Sequence, residues 1–156
     1  MNNRITYKGI VGRIKQRGIS LLEVMLSISV IALILVMATR FFYVTSSNNK
    51  VNTAISQVAG LEAAMYSWKG SDLNYTGVSI QALYDAGELA NFPGVSSETE
   101  GAVLYTPWGT SQYVVQAKTE GGAQITAADV PNCAALAKAL GDRASCDENA
   151  FTYDVE

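Results

Sequence analysis

The apolar positions of this chain fall into two regimes. From Ile19 to Ala38 the sequence reads ISLLEVMLSISVIALILVMA, apolar on every side, with Glu23 as its one charge. About twenty such residues are what a helix needs to cross a hydrocarbon core of roughly 30 Å. After Arg40 the pattern narrows. Val44, Val51, Ile55, Val58, Leu61, Met65 and Trp68 recur, from Val51 onward, at steps of three or four, which is one stripe on a helix. Ser46, Ser47, Asn48, Asn49 and Asn52 take the other positions. Gly60 is the one glycine between Gly18 and Gly70, and the first proline is Pro93. The pattern predicts a nearly continuous helix from Ser20 to Lys69, on the order of 75 Å long at 1.5 Å per residue. Its first half is apolar all round; its second half has one apolar face that needs a domain to cover it.

Beyond Lys69 the punctuation is dense. Gly70-Ser71-Asp72-Leu73-Asn74 ends the helix. Ser79 is placed as an N-cap for a short helix Ile80–Ala86, closed by Gly87. A loop with Asn91, Pro93 and Gly94 follows. Strand-like runs come next at Ala102–Thr106, Tyr113–Ala117 and Ala123–Thr126. Pro107-Trp108-Gly109-Thr110 turns between the first two, and Gly121-Gly122 separates the second from the third. Pro131 is expected to open a helix that Ala134–Leu140 continues and Gly141 stops. Phe151–Val155 alternates like a last strand. A long helix, strands, a short helix and a strand give an α+β head. That head has only about 85 residues, so its core is marginal without the long helix as a wall.

Charge divides the chain at Gly18. Residues 1–18 carry five basic side chains (Arg4, Lys8, Arg13, Lys15, Arg17) and no acid; the remainder carries six basic against fourteen acidic ones. The basic segment lacks an apolar face and reads as a leader. Positive charge on the N-terminal side of one apolar span keeps the leader cytoplasmic and sends the C-terminus outward. The expected divisions are therefore 1–18 as leader, 19–69 as the long helix with 19–38 as the span, and 70–156 as the head. An acidic body argues against nucleic acid as a partner. The chain has no histidine, which excludes triads with a histidine base and metal sites that use histidine. No catalytic constellation is visible, so no enzyme activity, cofactor or metal is expected. Asp142, Asp147 and Glu148 lie near one another in sequence without an EF-hand pattern and read as a solvated acidic loop. Cys133 and Cys146 form neither a four-cysteine zinc set nor a C-x-x-C pair; in an exported body they can pair as a disulfide. Closing about fifteen residues, that bridge would contribute roughly 3 kcal/mol. Trp68 and Trp108 are expected in the core.

The stretch Gly18-Ile19-Ser20-Leu21-Leu22-Glu23 joins a glycine at the end of a basic leader to an apolar run with a carboxylate at its fifth position. It resembles the type IV prepilin signature. The resemblance implies cutting after Gly18 by a prepilin peptidase, N-methylation of the new terminal Ile19 (where the family usually has Phe), and polymerisation into a helical filament. It further implies that Glu23 of one subunit meets the Ile19 amine of its neighbour during assembly. Physics agrees that such a carboxylate needs a reason: at mid-bilayer it costs about 2.5–3.5 kcal/mol on insertion scales. A solvated carboxylate at the membrane edge is the plainer reading of Glu23. The other route out of the cell, an ordinary signal peptide cut after Val36-Met37-Ala38, conflicts with an apolar run longer than the usual h-region.

The head adds a wider likeness. Ser47–Asn52 on the helix, Leu83, Gly87 and Phe92-Pro93, the Pro107–Thr110 turn, and Val130–Leu136 resemble the type IVb major pilins of conjugative thin pili and of toxin-coregulated and bundle-forming pili. The likeness implies the type IV pilin fold, a long N-terminal helix packed on a small antiparallel sheet. It implies residence in the inner membrane before assembly, an inner-membrane assembly platform as partner, and an extracellular pilus that can contact host or recipient cells. A type II secretion pseudopilin, a minor pilin, and a solitary anchored or secreted binding domain are the alternatives.

Overall fold

The computed structural model describes residues 20–70, 74–98, 101–109, 111–119 and 121–156. The chain divides after Phe42 into two compact units. One helix, α1 (Leu21–Lys69), runs through both sequence ranges. Its start and end lie within a residue of those expected, because nothing between Gly18 and Gly70 breaks it.

In the first unit α1 is exposed on all sides, with no buried residue from Leu21 to Phe42. The hydroxyls of Ser27 and Ser29 donate to the carbonyls of Glu23 and Met25, one turn back, so these polar groups are satisfied within the helix.

In the second unit the remainder of α1 is amphipathic. Ala54, Val58, Leu61, Ala64 and Met65 are buried, and Val51, Ile55 and Trp68 pack at the margin of the same core. Val44 does not join it and stays exposed. Helix α2 (Ile80–Asp85) follows, with Ser79 Oγ accepting from the Ala82 amide as its cap. Strands β1 (Val95–Glu98) and β2 (Gly101–Leu104) form an antiparallel pair. Strands β3 (Tyr113–Ala117), β4 (Ala123–Ala127), β5 (Ala144–Asp147) and β6 (Ala150–Val155) form a four-stranded antiparallel sheet in the order β3-β4-β6-β5. Helix α3 (Cys133–Leu140) and a 3-10 turn at Gly141–Arg143 lie between β4 and β5.

Alternation builds the sheet. Tyr113 and Val115, then Ala123, Ile125 and Ala127, then Phe151, Tyr153 and Val155, all face the core. The register sets Tyr113, Ala127, Phe151 and Cys146 in one row and Val115, Ile125, Tyr153 and Ala144 in the next. In the first row rings alternate with small side chains, Tyr113 and Phe151 against Ala127 and Cys146, an arrangement that favours close packing across the strands. The other face presents Val114, Gln124, Thr126, Thr152 and Asp154.

Two expectations need correction, and two further features carried no expectation. Pro131 does not begin a helix: α3 starts two residues later, because Asn132 adopts a left-handed conformation (φ 61°) and sends its amide to the Ser47 hydroxyl of α1 at 2.6 Å. Strand β2 ends at Leu104, and Tyr105 reaches the next strand only through an isolated bridge to Gln112. The segments Val95–Glu98 and Ala144–Asp147 are also strands, each only four residues long and paired with β2 and β6 respectively. Lastly, Gln57 sits in the apolar stripe and is 5% exposed. Its Nε2 donates to the carbonyls of Pro93 and Tyr105, so α1 holds both flanks of the β1–β2 pair.

Gly60 serves as a notch in α1. A Cβ there would stand 2.5 Å from the ring of Phe92, so the bare backbone is what admits the aromatic. Trp68 and Trp108 are partly buried against the core.

Candidate assembly surface and its head

Gly18 and Ile19 lie outside the described residues. Glu23 sits in the first turn of α1, exposed, with its amide bonded to the Ser20 carbonyl. The amides at a helix start carry partial positive charge, which favours a carboxylate there. Among the described residues its side chain has no hydrogen bond or ion pair. The helix around it presents Leu21, Leu22, Met25, Leu26 and Ile28, all more than half exposed. What this surface offers chemically is an apolar helix with one exposed carboxylate.

The head is fastened at three points. Cys133, first residue of α3 and 2% exposed, is bonded to Cys146 of β5 across a Cα–Cα distance of 5.8 Å. The bridge ties the helix to an edge strand that has only four residues. The second fastening is Glu62 on α1. Its Oε2 accepts from the Tyr153 hydroxyl at 2.8 Å, and its Oε1 accepts from Arg143 Nη1 in an ion pair. The Arg143 guanidinium also lies 5.0 Å from the centre of the Tyr153 ring. Burial pushes the Tyr153 hydroxyl up to about 12, and its bond to Glu62 and the carboxylate's charge add to that. The hydrogen bond that Arg143 donates to Glu62 likewise raises the guanidinium's pKa. The third fastening joins strand ends to α1: the hydroxyls of Tyr66 and Tyr75 both donate to the Glu156 carbonyl, at 3.0 and 3.3 Å.

Glu62, Arg143, Tyr153 and Gln57 were not singled out by sequence. Glu62 and Gln57 border the Val58–Leu61–Met65 stripe, which is the one signal that places them against the head. Among the described residues no group of three or more histidine, cysteine, aspartate or glutamate side chains is close enough to hold a metal.

Two family models match the chain. The model of the prokaryotic N-terminal methylation motif matches residues 13–39, spanning the end of the basic segment, Gly18, Glu23 and the apolar run. The Bundlin model matches residues 44–146, about two thirds of the chain. The chain belongs to the Bundlin family. It is a type IV prepilin, and its α+β architecture is that of the type IV pilin fold. The two matches divide the prepilin where its apolar pattern changes, with only residues 40–43 between them. Family membership makes it a structural subunit that is processed by prepilin peptidase and oligomerises into a filament. An inner-membrane anchor before assembly and an extracellular place afterwards fit the motif and the apolar helix. No curated protein and no solved structure matches the prepilin.

Proposed function

We propose that this prepilin is the major subunit of a type IVb pilus. Prepilin peptidase cuts it after Gly18, Ile19 becomes the N-methylated terminus, and the subunits polymerise through their exposed α1 halves. Before assembly the leader is cytoplasmic and the head is external, and an inner-membrane platform drives extraction. The finished filament serves adhesion, aggregation or mating-pair contact with host or recipient cells. The observation that supports this reading best is the Bundlin match across the head, joined to a helix whose first half is exposed all round and carries a lone carboxylate at Glu23. Glu23 pairs with the Ile19 amine of a neighbouring subunit and sets the axial register, as buried polar pairs can.

Mass spectrometry of sheared surface fibres tests the proposal. The expected result is fibres made mainly of this chain, beginning at methylated Ile19. A terminus at Thr39, or fibres in which this chain is a trace component, would overturn it. Glu23→Val should abolish fibres while the protein stays in the membrane, and normal fibres from that variant would remove the register role.

A further inference from the structure

The apolar half of α1 does not fade out; it stops at Arg40-Phe41-Phe42, with Tyr43 next in sequence. Phe41 and Phe42 are each 75% exposed. Successive helix positions differ by about 100°, so Arg40, Phe41 and Phe42 fan over roughly 200° of the circumference. Side chains spread so widely cannot all enter one protein groove. An encircling medium can cover them, and no residue from Leu21 to Phe42 is covered by the chain itself. Arg40 is also the one basic residue between Gly18 and Lys50.

Distance supplies the second observation. Leu21 and Arg40 are nineteen steps apart, or about 29 Å of helix, which matches a hydrocarbon core of roughly 30 Å. With aromatics at one headgroup level, Glu23, eighteen residues before Phe41, falls about 27 Å away, close to the opposite level.

We propose that Arg40, Phe41 and Phe42 form an interfacial anchor that engages the outer leaflet of the bilayer, the guanidinium on phospholipid phosphate and the rings at the headgroup boundary. The anchor fixes the helix in depth, as interfacial aromatic and basic residues do. Its consequence is that Glu23 waits at the leader-side interface, solvated, rather than in mid-bilayer. Outward extraction then drags the carboxylate through the hydrocarbon, so the subunit stays seated until a cationic partner meets Glu23. The inference rests on the membrane-anchored reading of the prepilin.

Substituted-cysteine labelling of the full chain tests it, in cells lacking the prepilin peptidase. The two native cysteines are bonded to each other and do not compete for the reagent. Met37→Cys and Thr45→Cys are made singly and exposed to a membrane-impermeant maleimide from outside. The expected result is protection at Met37→Cys and labelling at Thr45→Cys. In a background of Arg40→Leu with Phe41→Leu and Phe42→Leu, the apolar run loses its stop, and labelling at Thr45→Cys should fall at least several-fold. Labelling of Met37→Cys in the otherwise native chain, or unchanged labelling of Thr45→Cys in the leucine background, overturns the anchor while leaving membrane residence intact. Release of the native chain from membranes by alkaline carbonate would overturn residence, and the anchor with it. Non-reducing electrophoresis reports the Cys133–Cys146 bond and shows that each variant's head has folded.

Discussion

The hydroxyl of Tyr153, in the centre of the sheet, donates to Glu62 on α1 at 2.8 Å. This bond crosses from the last strand to the long helix, and the carboxylate that receives it also holds Arg143. Tyr153→Phe removes one donor to a charged acceptor and keeps the ring's packing. A hydrogen bond to a charged group contributes about 1.5–3 kcal/mol, and the partial exposure of this one puts the expected loss near 1–2 kcal/mol. Urea unfolding of a fragment from Tyr43 onward, the amphipathic part of α1 together with the head, measures it. Glu62→Leu should cost more, because it strands both the phenol and the guanidinium.

Ionisation of the same phenol makes a second prediction. The folded pKa of Tyr153, about 12, lies above the ordinary value of 10.0. The stability that difference represents is therefore complete below pH 10 and is lost as pH rises towards 12. Tyr113, buried with no hydrogen-bond partner for its hydroxyl among the described residues, is pushed up further by burial and acts in the same direction. Ultraviolet titration of tyrosinate should show late-ionising phenols that appear only as the head unfolds. In Tyr153→Phe the stability should fall less steeply over that alkaline window.

At the acid end the effect has the opposite sign. Hydrogen bonds from Lys118, and then from Gln124, hold the Asp154 carboxyl below its usual value of 3.8. Its contribution is present above the ordinary carboxylate range and is lost as pH falls through the lowered value. Both charged groups are more than a third exposed, so the effect should be small and should shrink further in salt. Asp154→Asn should flatten the acid limb of the stability profile slightly and leave neutral stability within about 0.5 kcal/mol.

A turn glycine offers a steric test. A Cβ on Gly122 would stand 2.7 Å from the Val155 carbonyl oxygen, an atom fixed by β6. Gly122→Ala must displace either the β3–β4 connection or the end of β6, at an expected cost of about 1–3 kcal/mol. Thermal unfolding of the head measures it. Deleting the Cys133–Cys146 bond by Cys133→Ser with Cys146→Ser should cost about 3 kcal/mol on the loop-entropy estimate. The loss should be greatest in α3 and β5, and hydrogen exchange would locate it there.

How much of this was visible beforehand depended on whether an element carries its own period. Helix α1 was legible almost to the residue, since the stripe from Val51 to Trp68 and a break-free interval specify it. Strands β3, β4 and β6 alternate and were legible too. Strand β5 was not: Ala144-Ser145-Cys146-Asp147 alternates, but over four residues only, too short a run to mark a strand without its partner β6. Asn132 misled for a related reason, as its left-handed backbone depends on a hydroxyl 85 residues away. At the candidate surface, Gly18, Ile19 and Glu23 stand out because leader, span and carboxylate are local features. The contacts that steady the head, Gln57 with two carbonyls and Glu62 with Arg143 and Tyr153, join partners far apart in sequence.

The strand order has one more consequence. The most C-terminal strand, β6, is seated between β4 and β5, so β5 has no partner, and the β3–β4 pair no third strand, until residues 150–155 are in place. Phe151, Tyr153 and Val155, the core-facing residues of that strand, are thus the last part of the head to be synthesised and the part that closes its sheet.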